Sequence, residues 1–178
     1  MTEEHNNFCG LIMVYTGEGK GKTTAAIGQA LRAIGHGYRV YLLHFMKGRD
    51  YGEFWALEKM PGVSIIKAGR DEFVHRVNPD PVDVKLAMEG WESAREAIFS
   101  SNYDMVVLDE INVALDFGLI PGDEVIEMLR DKPRHVDVIL TGRNALPQII
   151  EIADLVSEVK EIKHHHCSGV DARAGIEH

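Results

Sequence analysis

Cysteine is scarce in this chain. The two present, Cys9 and Cys167, lie near opposite ends and form no CxxC pair. A disulfide framework and a zinc ribbon are therefore not expected, and a reducing compartment is. Positive charge is short as well: 19 Lys and Arg against 28 Asp and Glu leave a formal net charge of −9. Such a balance argues against non-specific nucleic-acid binding and against an anionic membrane surface. A loop of backbone N–H groups can still bind an anion locally, because it needs little net charge. No apolar run approaches the roughly 20 residues that span a bilayer. The stretch from Met1 to Asn7 is polar and acidic and lacks an apolar region behind basic residues, so no secretory leader is expected. Internal repeats, low-complexity tracts and Gly/Ser linkers are missing too. The 178 residues are therefore expected to form one domain, with residues 1–9 as a flexible N-terminal segment. The expected setting is the cytoplasm, with neither nucleic acid nor membrane as a partner.

What is present is an alternation of short apolar runs with amphipathic ones. Strands are expected at Leu11–Tyr15, Val40–Phe45, Val63–Ile66, Met105–Leu108, Val136–Leu140 and Leu155–Val159. Helices are expected at Thr23 to about Ile34, Gly52–Lys59, Val82–Phe99, Pro121–Arg130 and Pro147 to about Ile152. In the long helix, Val82, Leu86, Trp91, Ala94 and Ile98 are the candidates for one buried stripe. Lys67 to Pro81 has no period, and Asn78-Pro79-Asp80-Pro81 cannot be helix interior. Strands alternating with helices imply an α/β fold with a mainly parallel central sheet and helices on both faces. Ligands in such folds bind at the carboxyl ends of the strands.

The chemical residues fall at those ends. Thr16-Gly17-Glu18-Gly19-Lys20-Gly21-Lys22-Thr23-Thr24 lies directly between a strand and a helix. Its glycines allow backbone N–H groups to converge on a phosphate. Lys22 supplies a cation for the terminal phosphates, and the Thr23 hydroxyl can ligate Mg²⁺. This is a P-loop, although Thr16 stands where the strict pattern has glycine. Asp109-Glu110 follows an apolar strand, where P-loop proteins place an acidic residue that holds Mg²⁺ directly or through water. Either residue, or both, can serve. Arg143, in Leu140-Thr141-Gly142-Arg143, follows another strand end and could reach phosphate. His164-His165-His166-Cys167 reads as a solvated polar segment more readily than as a metal site, because adjacent residues project in different directions.

These residues resemble the P-loop ATP:corrinoid adenosyltransferase family. The family's phosphate motif, TGxGKGKTT, is matched by Thr16 to Thr24. Further matches are Ala30-Leu31-Arg32-Ala33-Ile34-Gly35-His36-Gly37, Phe45-Met46-Lys47-Gly48 and Tyr103-Asp104 through Asn112 with Ala114-Leu115. Thr141-Gly142-Arg143, Lys163-His164 and Gly175-Ile176-Glu177 complete the pattern. The resemblance implies a RecA-like P-loop NTPase fold. It also implies transfer of the 5′-deoxyadenosyl group of ATP to the Co(I) of a reduced corrinoid, with release of triphosphate. On this reading Gly17 to Thr24 and Arg143 bind the phosphates. Lys22, Thr23 and Glu110 carry catalysis, and Thr23 with Asp109 or Glu110 holds Mg²⁺. ATP lies reversed relative to ordinary P-loop hydrolases, so that C5′ faces the corrinoid. The resemblance further implies a homodimer and a flavoprotein that reduces cob(II)alamin.

Two segments depart from the family. Phe73-Val74-His75 stands where it has Phe-Thr-Trp, an aromatic pair that displaces the lower axial ligand of cobalt. Phe73 and His75 are accordingly the expected corrinoid contacts. His165 and His166 replace a Pro-Phe pair. The competing readings are a P-loop ATPase or nucleoside kinase of RecA-like or thymidine-kinase-like type, and a non-catalytic nucleotide- or corrinoid-binding protein. The first lacks zinc-binding cysteines and a recognisable base, and the second has only the change at His75 in its favour.

Overall fold

A computed structural model of the chain describes residues 9–49 and 51–177. The expected flexible segment 1–9 lies outside this range except for Cys9. Six strands run in chain order: β1 (Ile12–Thr16), β2 (Val40–Phe45), β3 (Val63–Ala68), β4 (Met105–Asp109), β5 (Asp137–Thr141) and β6 (Leu155–Glu158). They form one sheet in the order β3-β2-β4-β5-β1-β6, and every neighbouring pair is parallel. The helices are α1 (Lys22–Gly35), α2 (Gly52–Leu57), α3 (Pro81–Phe99), α4 (Ile111–Asp116), α5 (Gly122–Asp131) and α6 (Pro147–Ile152). This is the α/β architecture of P-loop NTPases. One strand, β5, separates the strand that leads into the glycine loop from the strand that ends in Asp109. Among the described residues, no helix is long and apolar enough to cross a membrane.

Strand alternation sorts the core onto two faces. Met13, Val40, Leu42, Met105, Val107 and Ile139 pack against α1 and α2 through Ala26, Ala30, Ala33 and Leu57. Val14, Leu43, Phe45, Val106, Leu108 and Leu140 face the opposite way, against Trp91, Ala94 and Ile98 of α3 and against α4 to α6. Both faces are covered at the central strands β1, β2, β4 and β5, whose residues are mostly apolar and buried, whereas the edge strands β3 and β6 are half-buried or exposed at most positions.

Two expectations need correction. Val82 is exposed and Leu86 only half-buried; the buried stripe of α3 runs through Asp83, Ala87, Gly90, Trp91, Ala94, Ala97 and Ile98. The helix begins with Pro81 at its first position and Asp80 as its N-cap, whose carboxylate accepts the Val82 amide at 2.9 Å. That start rotates the inward face onto Asp83, whose carboxylate receives Arg70 at 2.6 and 3.0 Å. The sequence reading also passed over α4, which follows β4 after the single residue Glu110.

Because all six strands are parallel, their carboxyl ends share one edge. The loops after β1, β2, β3, β4 and β5 all open there, and the site is built from them.

Candidate active site

The phosphate loop leaves β1 at Thr16 and enters α1 at Lys22. Gly17 and Gly21 have φ of 99° and 121°, which L side chains rarely adopt. A Cβ on Gly17 or Gly19 would also strike the backbone of Val159 and Lys160. The loop therefore lies flat on the segment after β6, and the Gly19 amide donates to the Val159 carbonyl at 2.7 Å. Gly21 is the N-cap of α1 and offers no side chain to its first amides. Those amides are left free for an anion. Lys22 is buried, and its ammonium donates to the Gly19 carbonyl at 2.8 Å. Burial lowers its pKa below the usual lysine value, against the opposing pull of Glu110.

The other loop residues are arranged around this core. Thr23 is half-buried and Thr24 exposed at the start of α1. Arg143 reaches back to Glu18, with Nε 3.1 Å from its carboxylate, and so joins the β5 loop to the phosphate loop. Lys20 borders the cavity over this loop, where its ammonium donates to the Ile176 carbonyl at 2.8 Å and lies 4.0 Å from Glu177.

Asp109 and Glu110 have separate environments. Asp109 is only 1% exposed, and protein groups occupy both its oxygens. His44 Nδ1 and Lys47 Nζ donate to Oδ2 at 2.8 Å each, and the Thr141 hydroxyl donates to Oδ1 at 2.6 Å. Burial alone would raise the Asp109 pKa, but the His44 bond and the Lys47 charge outweigh it and hold the group well below the carboxylate range. Lys47 is the mirror case: burial lowers it, and Asp109 more than restores it. Glu110 caps α4 in a left-handed conformation with φ of 62°. An unfavourable backbone of this kind persists only where its surroundings impose it, commonly at functional sites. Burial raises the Glu110 pKa, and neighbouring Asp109 raises it further.

Two cavities meet at this corner. One, of about 630 Å³, lies over the phosphate loop and is bordered by Thr23, Thr24 and Gly175 to Glu177. The other, of about 780 Å³, extends past Arg143 to Phe73, Val74 and Phe117. Lys22, Lys47, Tyr51 and Glu110 border both. Phe73 stands on the wall of the larger cavity with 94% of its surface exposed. His75 is exposed and is not part of that wall, to which Val74 and Arg76 contribute instead.

Sequence reasoning gave no role to His44, Lys47, Tyr51, Arg76 or Asp116. His44 carried a signal, being the one strongly polar residue in the strand VYLLHF. It is fully buried, packs in a tilted arrangement against Phe54 with ring centroids 4.5 Å apart, and leaves Nε2 without a hydrogen bond. Lys47 belongs to Phe45-Met46-Lys47-Gly48, which matches the family pattern without indicating a role for the lysine. Arg76 and Asp116 carried no signal, since their pairing spans 40 residues of chain.

The family model for the ATP:corrinoid adenosyltransferase BtuR/CobO/CobP matches residues 9–178. The chain belongs to this family. A corrinoid adenosyltransferase of Sinorhizobium is 42% identical over 171 residues, covering 94% of this chain and 80% of that protein. A corrinoid adenosyltransferase of Escherichia coli is 38% identical over 170 residues, covering 95% and 86%. The corrinoid adenosyltransferase CobA of Salmonella typhimurium is also 38% identical, over the same shares. Corrinoid adenosyl transfer is thus the activity of the family to which these two cavities belong.

Proposed function

We propose that this chain moves the 5′-deoxyadenosyl group from ATP to the cobalt of a reduced corrinoid. The observation that carries this reading is the shared floor. Lys22, Lys47 and Glu110 border both a cavity over the phosphate loop and a larger one walled by Phe73, Val74 and Phe117. A nucleotide and a bulky second substrate can meet there.

Co(I) donates an electron pair to C5′. The C5′–O bond breaks, its pair leaves on the triphosphate, and the cobalt becomes Co(III) bearing a Co–C bond. No proton has to move, which suits a site without a positioned general base. The protein must stabilise charge on the leaving group and hold the reactants in line. Lys22 and the free amides of α1 receive the phosphates. Arg143 and Glu18 set one wall of the loop.

The residues present fit a magnesium ion. The Glu110 carboxylate and the Thr23 hydroxyl border the phosphate cavity, whereas Asp109 already has a donor on each oxygen. Glu110 and Thr23 would hold the ion, which supplies positive charge to the triphosphate. Asp109 would act behind them, fixing Lys47 and the end of β4. The same reading makes the protein a cytoplasmic homodimer supplied with electrons by a flavoprotein.

The test is anaerobic. Chemically reduced cob(I)alamin and Mg-ATP are mixed with the protein and the visible spectrum is followed. A photolabile product formed together with triphosphate is expected. Release of phosphate from ATP without corrinoid would overturn the reading in favour of an ordinary ATPase.

A further inference from the structure

The segment between β3 and α3 carries Phe73 but has no helix or strand of its own. Side-chain ties must set its position. Arg70 provides one, through Asp83 at 2.6 Å and Asp80 at 3.1 Å. That tie is local, because both acids belong to the start of the very next helix. Arg76 provides a different one: its Nη2 donates to Asp116 Oδ1 at 2.7 Å, at the end of α4, and both residues border the larger cavity.

Asp116 uses its second oxygen as well. Asn144 Nδ2 donates to Oδ2 at 3.0 Å. Asn144 follows Arg143, which holds Glu18 of the phosphate loop. One carboxylate thus joins the Phe73 segment to the β5 loop, and the β5 loop is joined to the phosphate loop. Arg76, Asp116 and Asn144 all border the larger cavity. The Asp116 side chain is 15% exposed, so its carboxylate is partly shielded from water although Arg76 is not.

We propose that Asp116 is a positioning residue for the corrinoid, holding the Phe73 segment against the cavity through Arg76 while Asn144 keeps that cavity in register with the ATP loop. The inference rests on the corrinoid reading of the larger cavity. Asp116 touches neither reacting atom; it fixes where Phe73 stands when the second substrate arrives.

The test compares Asp116→Ala, Arg76→Ala, the double variant and Arg76→Lys with the wild type in low salt. The KM for cob(I)alamin is expected to rise about two- to fivefold in each Ala variant, the size appropriate to a partly exposed ion pair. The kcat and the KM for ATP stay unchanged. The double variant is no worse than Asp116→Ala, since removing Asp116 already removes the partner of Arg76. Arg76→Lys, which keeps the charge, recovers most of the loss. High salt raises the wild-type KM towards that of the variants and leaves theirs alone. A second readout needs no turnover: trypsin cuts native Asp116→Ala after Arg76 faster than it cuts the wild type.

Additive single effects, an equal rise in the KM for ATP, or an unchanged cutting rate overturns the inference. Failure of the underlying reading looks different, because the wild type itself then makes no adenosylcorrinoid.

Discussion

The Thr141 hydroxyl donates to Asp109 Oδ1 at 2.6 Å, and Thr141 Oγ1 itself accepts the Glu110 amide at 3.0 Å. One side chain of β5 thereby shapes the end of β4 and the entry to α4. Thr141→Val keeps the volume but removes both bonds. It is expected to cost about 1–3 kcal/mol in urea unfolding, because the Glu110 amide and one Asp109 oxygen lose their partner. A loss below about 0.5 kcal/mol would show that the corner does not depend on this hydroxyl.

Asp109 sets an acid limit on the fold. Its folded pKa lies below the unfolded value, chiefly through His44 and Lys47 working against burial. The stability it contributes is therefore complete above about pH 4, the unfolded carboxylate range, and is lost as pH falls from there towards the depressed folded value. Asp109→Asn is expected to lower stability by about 3–5 kcal/mol at pH 7, since it leaves Lys47 without its buried partner. The gap to the wild type should narrow as solutions are acidified below about pH 4. A gap constant with pH would contradict the ionised state assigned to Asp109.

Glu110 has the opposite sign. Burial and Asp109 raise its folded pKa, so its charged form is disfavoured in the folded chain. The stability linked to its protonated form is present below the unfolded value and is lost as pH rises through the folded one. Glu110→Gln should raise the melting temperature of the ligand-free protein at neutral pH, with the advantage fading in acid. Adenosyl transfer should collapse in the same variant. Lower stability at neutral pH would show that Glu110 is needed as an anion by Lys22 and Lys47.

Lys22→Ala is expected to leave the fold intact, because the ammonium bonds one loop carbonyl and is penalised by burial. Transfer should fall by about 10²-fold or more, the usual consequence of losing a preorganised group at developing charge. Steady-state rates alongside circular dichroism decide this. Substantial remaining activity would move the role to Lys47, which borders both cavities.

His75→Trp restores the aromatic residue of the family motif at an exposed position. It should preserve or raise the rate of Co(II) reduction on the protein, followed by the appearance of the Co(I) spectrum with a chemical reductant. Loss of activity with ATP binding intact would instead give the histidine a task of its own.

Local patterns announced most of this molecule. The glycine loop, the acidic strand end and the alternation of strands and helices are written in contiguous residues. Each agrees with its neighbours in period and turn chemistry. The features that escaped are of another kind. Six-residue α4 begins one residue after β4 and has neither a side-chain cap nor a full amphipathic period. At the start of α3 an N-cap and a proline fix the rotation, so that Asp83 rather than Val82 turns inward, which apolar spacing does not show. The bond from His44 to Asp109 spans 65 residues and the one from Lys47 spans 62, and only the strand order brings them together. The different surroundings of Asp109 and Glu110 follow from those distant donors, which no pattern in Asp109-Glu110 itself discloses.

The glycine loop rests on the backbone that follows β6, although the two are made far apart in time. Val159 receives the Gly19 amide, and Gly17 has room for nothing larger than hydrogen against it. A chain emerging from the ribosome thus finishes its phosphate loop only after the sixth strand has been synthesised and has paired with the first. Until then the early helix and strands can form, yet the nascent protein has no finished cradle for nucleotide. The order of the strands thus makes the finished loop a late product of synthesis.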